Sequence, residues 1–182
     1  LLTPRTTLAH AVHLNRRDVE IIGERGSFLS HNPVSNLKLN SGLFAFEDLY
    51  HRLPGKVTIG TDGASSNNNL SMIESVKFAS LAAGKAADVF RAATSNGAAA
   101  FGLNAGEIRE GASADCLLVD LNNPFMVPAY NLVSDLVYAA DSSSIADVIC
   151  NGRLVMEDRR VEGEAEIVAE ARKLAEKIIN LK

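Results

Sequence analysis

No apolar run in this sequence approaches the length of a membrane span, and no basic-then-apolar leader opens it. Cysteine is scarce. Cys116 and Cys150 are the only two, each inside an apolar run, which predicts two buried thiols rather than a disulfide. Positive charge is not in excess: 18 Lys and Arg stand against 22 Asp and Glu, a formal net charge of −4. That balance excludes nonspecific binding to nucleic acid or to an anionic membrane. Internal repeats and low-complexity tracts are missing, and the SSNNN run at 65–69 is too short for a linker. What remains is an ordinary globular composition, 47% hydrophobic and 22% charged. The 182 residues have room for one substantial core, or one domain with a small satellite. A cytoplasmic protein is the expectation.

Three times in the first half, a short apolar strand ends in a polar residue and a helix follows. Residues 6–14, TTLAHAVHL, lead into NRRDVEIIGERG, where Asn15 is placed to cap a helix with Asp18 three residues on. Residues 27–31 lead through HNPVSNLKLNSG (31–42) to FEDLYHRL. The middle stretch reads as a polar loop, but an oddly long one, with Leu37 and Leu39 alternating with polar neighbours. Residues 56–61 lead through ASSNNN to a helix from about Leu70, whose Leu70, Ile73, Val76, Ala79 and Ala83 form one apolar stripe. A further alanine-rich helix, ADVFRAATSNGAAAFG, comes next. Strands alternating with helices predict an α/β chain with a parallel sheet.

From about Leu103 the pattern changes. GEIREGASADCLLVDL reads as two short strands around a glycine turn, and LVSDLVYAA as another strand. In IADVICNGRLVMEDRRV the Asn151-Gly152 pair is a strong hairpin signal. The end is an amphipathic helix with Ile167, Ala171, Leu174, Ile178 and Leu181 on one face.

In parallel βα architectures, functional groups gather where strands end. Here those ends carry His10 or His13, then His31, then Asp62. His10 and His13 are three apart, an odd offset that sends strand side chains to opposite faces. One of them faces the interior, unless His13 already lies past the strand; the bland alternative for either is a hydrogen-bonded loop histidine. His51, on a polar helix face, reads as exposed. Asp62, in TIGTDGASSNN, suits a metal ligand or proton acceptor. It equally suits a turn residue or helix N-cap, because Asp-Gly is a common turn pair.

AHAVHL, SHNPVSNLKLNSG and GTDGASSNNNLSMIESVKFASL, in this order and spacing, resemble the amidohydrolase superfamily. They are most similar to its methylthioadenosine/S-adenosylhomocysteine deaminase and chlorohydrolase group. The likeness extends through ADCLLVDLNNPFMVPAYN and NGRLVMEDRRV, so it covers nearly the whole chain. It implies a metal-dependent (β/α)8 barrel holding one divalent cation, zinc or iron by family habit, with a small β-sandwich beside it. Asp62 matches the eighth-strand aspartate, a metal ligand and proton shuttle. His10 matches the sixth-strand histidine that orients the attacking water and moves its proton. His31 matches the HNP histidine near the substrate, and Asn36 is expected on the rim of the pocket as a second substrate-binding residue.

The family also carries an HxH pair on its first strand and a metal-binding histidine on its fifth. This sequence contains no HxH. The resemblance therefore implies the C-terminal part of a longer enzyme: the last three βα units of the barrel (1–102), a β-sandwich portion (103–161) and a C-terminal helix (162–182). The LAAGKAADV link is shorter than the family's usual one.

The implied reaction is deamination of an adenosine-type or related heteroaromatic, purine-like substrate by metal-bound hydroxide. Chlorohydrolase or guanine-deaminase chemistry is the alternative within the superfamily, and a non-catalytic binding module the alternative outside it. The isolated fragment is expected to be inactive, to bind metal weakly or not at all, and to associate with its missing N-terminal part or with itself as a homo-oligomer. No nucleic-acid or membrane partner is expected.

Overall fold

A computed structural model of the chain describes residues 1–82 and 85–180. Its first half is built on three parallel strands in the order β1 (Thr7–Ala9), β2 (Phe28–His31), β3 (Val57–Ile59). Leu8 pairs with Leu29, and Ser30 with Thr58. The strands fall where the alternation placed them but are shorter. After β1 the backbone swings into the left-handed region at His10 and Ala11, with φ of 69° and 52°, and no ladder continues through such a bend. Just past β3, Gly60 still runs close against β2, its amide donating to His31 O at 2.9 Å. A Cβ there would lie 2.8 Å from Ser30 Oγ, so only glycine allows the approach.

Each parallel strand hands over to a helix. α1 (Arg16–Arg25) opens on the capping box that Asn15 and Asp18 predict and closes on Gly26 at φ 66°. Its Val19 and Ile22 are buried. After β2 the sequence reading needs correction. Residues 31–42 are not a continuous loop, because Pro33–Lys38 form the helix α2. Pro33 supplies the reason: at the first turn its missing N–H costs nothing and its fixed φ is already helical. α3 (Phe46–Arg52) follows, and after β3 come α4 (Ala64–Asn67) and α5 (Met72–Leu81). Val76 and Ala79 carry the α5 stripe into the core, whereas Leu70 precedes the helix and is exposed. Ala83, and with it the centre of the LAAGKAADV link, lies outside the described residues.

The alanine-rich helix is two helices, α6 (Ala86–Ala93) and α7 (Ser95–Ala100), broken at Thr94. There the Oγ1 hydroxyl donates to Phe90 O at 2.8 Å, a local bond that competes with the helical ladder. Asn96 in α7 donates to Val57 O at 2.9 Å and ties the pair to β3. Leu29, Val57, Val89 and Ala92 are wholly buried where sheet and helices meet.

The second half holds an antiparallel sheet, β4 (Cys116–Val119), β5 (Ile145–Cys150) and β6 (Arg153–Met156), with α8 (Leu132–Tyr138) between β4 and β5 and α9 (Glu164–Ile179) at the end. The β5–β6 turn at Asn151 and Gly152 has both φ positive, 48° and 75°, the form an Asn-Gly hairpin requires. Two expectations fail here. The strand expected before β4 is absent, because Asn104 donates to Gly111 O at 2.6 Å and accepts from Arg109, closing that segment on itself. LVSDLVYAA is helical, not extended. Asn131 caps it by accepting from Ser134 N at 3.1 Å, and the spacing of Val133 and Val137 turns both toward the core. Tyr138 accepts a bond from Ser80 of α5 at 2.9 Å.

Both cysteines are free, as expected, but neither is buried: Cys116 is half-buried and Cys150 exposed. Cys116 pairs with Ile149 across the ladder, so the adjacent Cys150 points to the opposite face and no bridge can form. α9 buries none of its residues, and Leu181 lies outside the described residues. No described helix is long and apolar enough to cross a membrane.

Candidate active site

His10, His31 and Asp62 all stand at the C-terminal ends of the parallel strands, but the structure treats them differently. His10 follows β1 directly, and its amide donates to Ser30 O at 2.9 Å. Asp62 stands three residues past β3 at φ 60°. Left-handed conformations of this kind cost of order 1–3 kcal/mol and cluster at functional sites. Together the two bends turn the side chains toward each other, leaving His10 Nε2 3.9 Å from Asp62 Oδ2. Both side chains remain open to solvent, 40% and 30% exposed.

The carboxylate is held on both oxygens. Ser35 Oγ donates to Oδ2 at 2.6 Å, and the Gly63 amide donates to Oδ1 at 2.7 Å. The Ser35 hydroxyl foremost, then Ser66 and the Gly63 amide, hold its pKa below the usual carboxylate range; electrostatic interaction with the His10 side chain adds a smaller pull. Asp62 is therefore ionised at neutral pH. It does not cap α4, whose N-cap is Gly63 without a side-chain bond.

His31 is at the end of β2 as expected, but its ring is turned into the core and is 3% exposed. It stacks on Phe44, with centroids 4.4 Å apart and planes at 13°. Burial pushes its pKa down to about 4, so the ring is neutral at physiological pH. Neither ring nitrogen has a hydrogen-bond partner among the described residues. Asn36 also departs from expectation. It is not on a rim but buried, 2% exposed, with Oδ1 2.8 Å from His10 Nδ1. His13 and His51 are exposed.

Ser35 was not visible as a site residue in the sequence, since its partner is 27 positions away. Lys38, which donates to Ser65 O at 3.0 Å and to Asn68, was not visible either. The signal that could have found both is Pro33, which marks a helix where the composition reads as a loop. Among the described residues no three His, Cys, Asp or Glu side chains gather closely enough to hold a metal ion. Catalytic zinc takes about three protein ligands. The open carboxylate of Asp62 has the chemistry of one such ligand, and the described residues do not complete a set.

Residues 1–155 match the model of the amidohydrolase family. The chain belongs to that family. This amidohydrolase chain is 41% identical to 5-methylthioadenosine/S-adenosylhomocysteine deaminase 1 of Archaeoglobus fulgidus, over 97% of its own length and 45% of the relative's. It is 40% identical to the 5′-deoxyadenosine deaminase of Methanospirillum hungatei, over 98% and 42%. Among solved structures, an adenosine deaminase from Xanthomonas campestris with bound zinc superposes with a TM-score of 0.93 at 33% identity, covering 99% of this chain and 44% of that one. An atrazine chlorohydrolase of Arthrobacter aurescens with zinc shares the fold, with a TM-score of 0.87 at 24% identity over 94% and 41%. The chain thus spans less than half the length of the relatives it matches.

Proposed function

We propose that this chain is the C-terminal part of a hydrolase that removes the amino group from an adenosine-type substrate, and that His10 and Asp62 are its contribution to the chemistry. The observation that carries the reading is the pairing itself. Two unrelated strand ends adopt left-handed backbone to bring an imidazole and an ionised carboxylate within 3.9 Å in an open position. A chain serving only as a binding module has no need of that strain.

In this reading residues 1–102 are the last three βα units of a (β/α)8 barrel, 103–161 part of a β-sandwich, and 162–182 a terminal helix. The parallel order β1-β2-β3 supports it. A divalent cation, zinc by analogy with the zinc-bound adenosine deaminase, would take Asp62 as one ligand and supply a polarised water. His10 accepts a proton at Nε2 from the attacking water and returns it to the leaving group. Asp62 holds its negative charge opposite the resulting imidazolium. His31, neutral and packed on Phe44, fixes the end of β2 between them.

The names of the relatives favour an adenosine-type purine over a chlorinated triazine, since the chlorohydrolase likeness extends to the fold alone. The substrate class is tested by ammonia release from 5′-deoxyadenosine, 5-methylthioadenosine and S-adenosylhomocysteine by the complete enzyme carrying these residues. Turnover of at least one is expected; release of chloride from a chlorotriazine with none of the three turned over would overturn the assignment. The 182-residue chain by itself is expected to be inactive and to retain no metal after dialysis against a chelator. It is also expected to self-associate, because β1 and β3 are the edges of an unclosed sheet.

A further inference from the structure

The reaction needs His10 to be more than nearby: the nitrogen that faces the open site must be the one without a proton. We propose that Asn36 is a positioning residue that fixes this tautomer, holding the His10 proton on Nδ1 and leaving the lone pair on Nε2. The inference rests on the reading of His10 as the proton acceptor and goes on to say how its proton is placed.

Two observations carry it. Asn36 Oδ1 lies 2.8 Å from His10 Nδ1, and an amide oxygen has no proton to give, so Nδ1–H donates. The second is the distance on the other side of the ring. His10 Nε2 stops 3.9 Å from Asp62 Oδ2, although a charge-assisted bond would close to about 2.7–2.9 Å. A protonated Nε2 beside an ionised carboxylate would make that bond. No such short contact forms; Oδ2 takes its hydrogen bond from the Ser35 hydroxyl, at 2.6 Å.

Ser35 and Asn36 are neighbours in α2 and both are buried, 1% and 2% exposed. The helix therefore grips the two reacting side chains with adjacent residues, one by its carboxylate and one by its far ring nitrogen. The backbone amide of His10 is bonded to Ser30 O, and the contact that orients its ring is the one to Asn36. When Nε2 takes a proton from water, the imidazolium keeps its bond to Asn36 and gains an N–H directed at Asp62. The opposite tautomer would present an N–H where a lone pair is needed and could accept nothing.

The test is long-range ¹H–¹⁵N spectroscopy of the imidazoles in the labelled chain at alkaline pH, where ordinary histidines are neutral. The chain has 4 histidines, and loss of one set of peaks in His10→Gln assigns His10. The wild-type ring is expected to show a pyrrole-type Nδ1 and a pyridine-type Nε2. Asn36→Asp, which keeps an acceptor oxygen, should preserve that pattern, and Asn36→Leu should shift it toward Nε2–H. In the complete enzyme Asn36→Leu should lower kcat about 10–100-fold, the cost typical of losing a group that orients a site histidine, with KM little changed. A wild-type His10 found mainly as Nε2–H overturns the proposal, and that reading needs no variant to fold. An Asn36→Leu spectrum still showing Nδ1–H overturns it equally. Failure of the complete enzyme to turn over any adenosine-type substrate would sink the function and leave the tautomer where the spectra put it.

Discussion

Among the described residues the parallel and antiparallel sheets each have three strands, yet the apolar surface is covered in one and open in the other. In the parallel sheet β3 is buried at every residue and Leu29 in β2 is fully enclosed, because α5, α6 and α7 of the same chain lie against it. In the antiparallel sheet Leu117, Leu118, Leu154 and Val155 are 56, 45, 52 and 46% exposed. The ladders are comparable in both, so hydrogen bonding does not distinguish them. What differs is whether a second layer meets the sheet, and that decides which one can hold side chains in fixed positions at its ends. The sheet with the second layer is the one that carries the site.

The comparison is broken most sharply by removing chemistry without removing packing. Asp62→Asn in the complete enzyme should cut turnover by at least about 10²–10⁴-fold, the range for a missing proton-transfer group, while the unfolding midpoint stays close to wild type. Activity within about threefold of wild type would reduce Asp62 to a turn residue. Next comes packing. Leu29→Ala should destabilise the chain by about 2–5 kcal/mol, as deletions in closed cores do, whereas Leu117→Ala should cost under about 1 kcal/mol because its side chain is already in water. Equal losses in urea titrations of the two variants would mean that the sheets are not differently supported.

A pH series sharpens the contrast within the buried layer. His31 is held near pKa 4 when folded, against 6.5 for its ordinary value. Between these the unfolded chain takes up a proton that the folded chain refuses. Stability from this group is therefore complete above about pH 6.5 and is lost as pH falls toward 4, by about 2 kcal/mol between pH 7 and pH 5. Asp62, lowered from 3.8, adds its own loss only below that window. Replacing His31 with Phe should flatten the pH 5–7 slope in urea melts; an unchanged slope would assign it to other groups. The smallest effect is local. Asn15→Ala should cost about 1 kcal/mol through the cap of α1, visible as a shift in the denaturation midpoint with activity of the complete enzyme intact.

Much of this was legible in the chain, and the parts that were not share a cause. Strand ends, the Asn15 cap and the Asn151-Gly152 hairpin are specified by residues close in sequence, and they appear where the sequence puts them. α8 was misread because LVSDLVY satisfies both strand and helix patterns over so short a span; the Asn131 cap, which lies just outside the apolar run, settles it. α2 was misread because polar composition outweighed Pro33. His10 and Asp62 could be picked out by type and position, but the roles of Ser35 and Asn36 depend on contacts 27 and 26 positions away. No window of sequence contains those.

The attachment of both groups to one short helix also bears on precision. His10 and Asp62 lie on separate connections, and separate connections fluctuate independently, so the errors in their positions would ordinarily add. Here each is referred to a neighbouring residue of α2, whose α-carbons are about 3.8 Å apart by covalent geometry. A displacement of α2 then moves imidazole and carboxylate in common, and a common movement leaves the gap between them unchanged. The spacing that matters for the chemistry is measured from a single covalent ruler rather than across two loops.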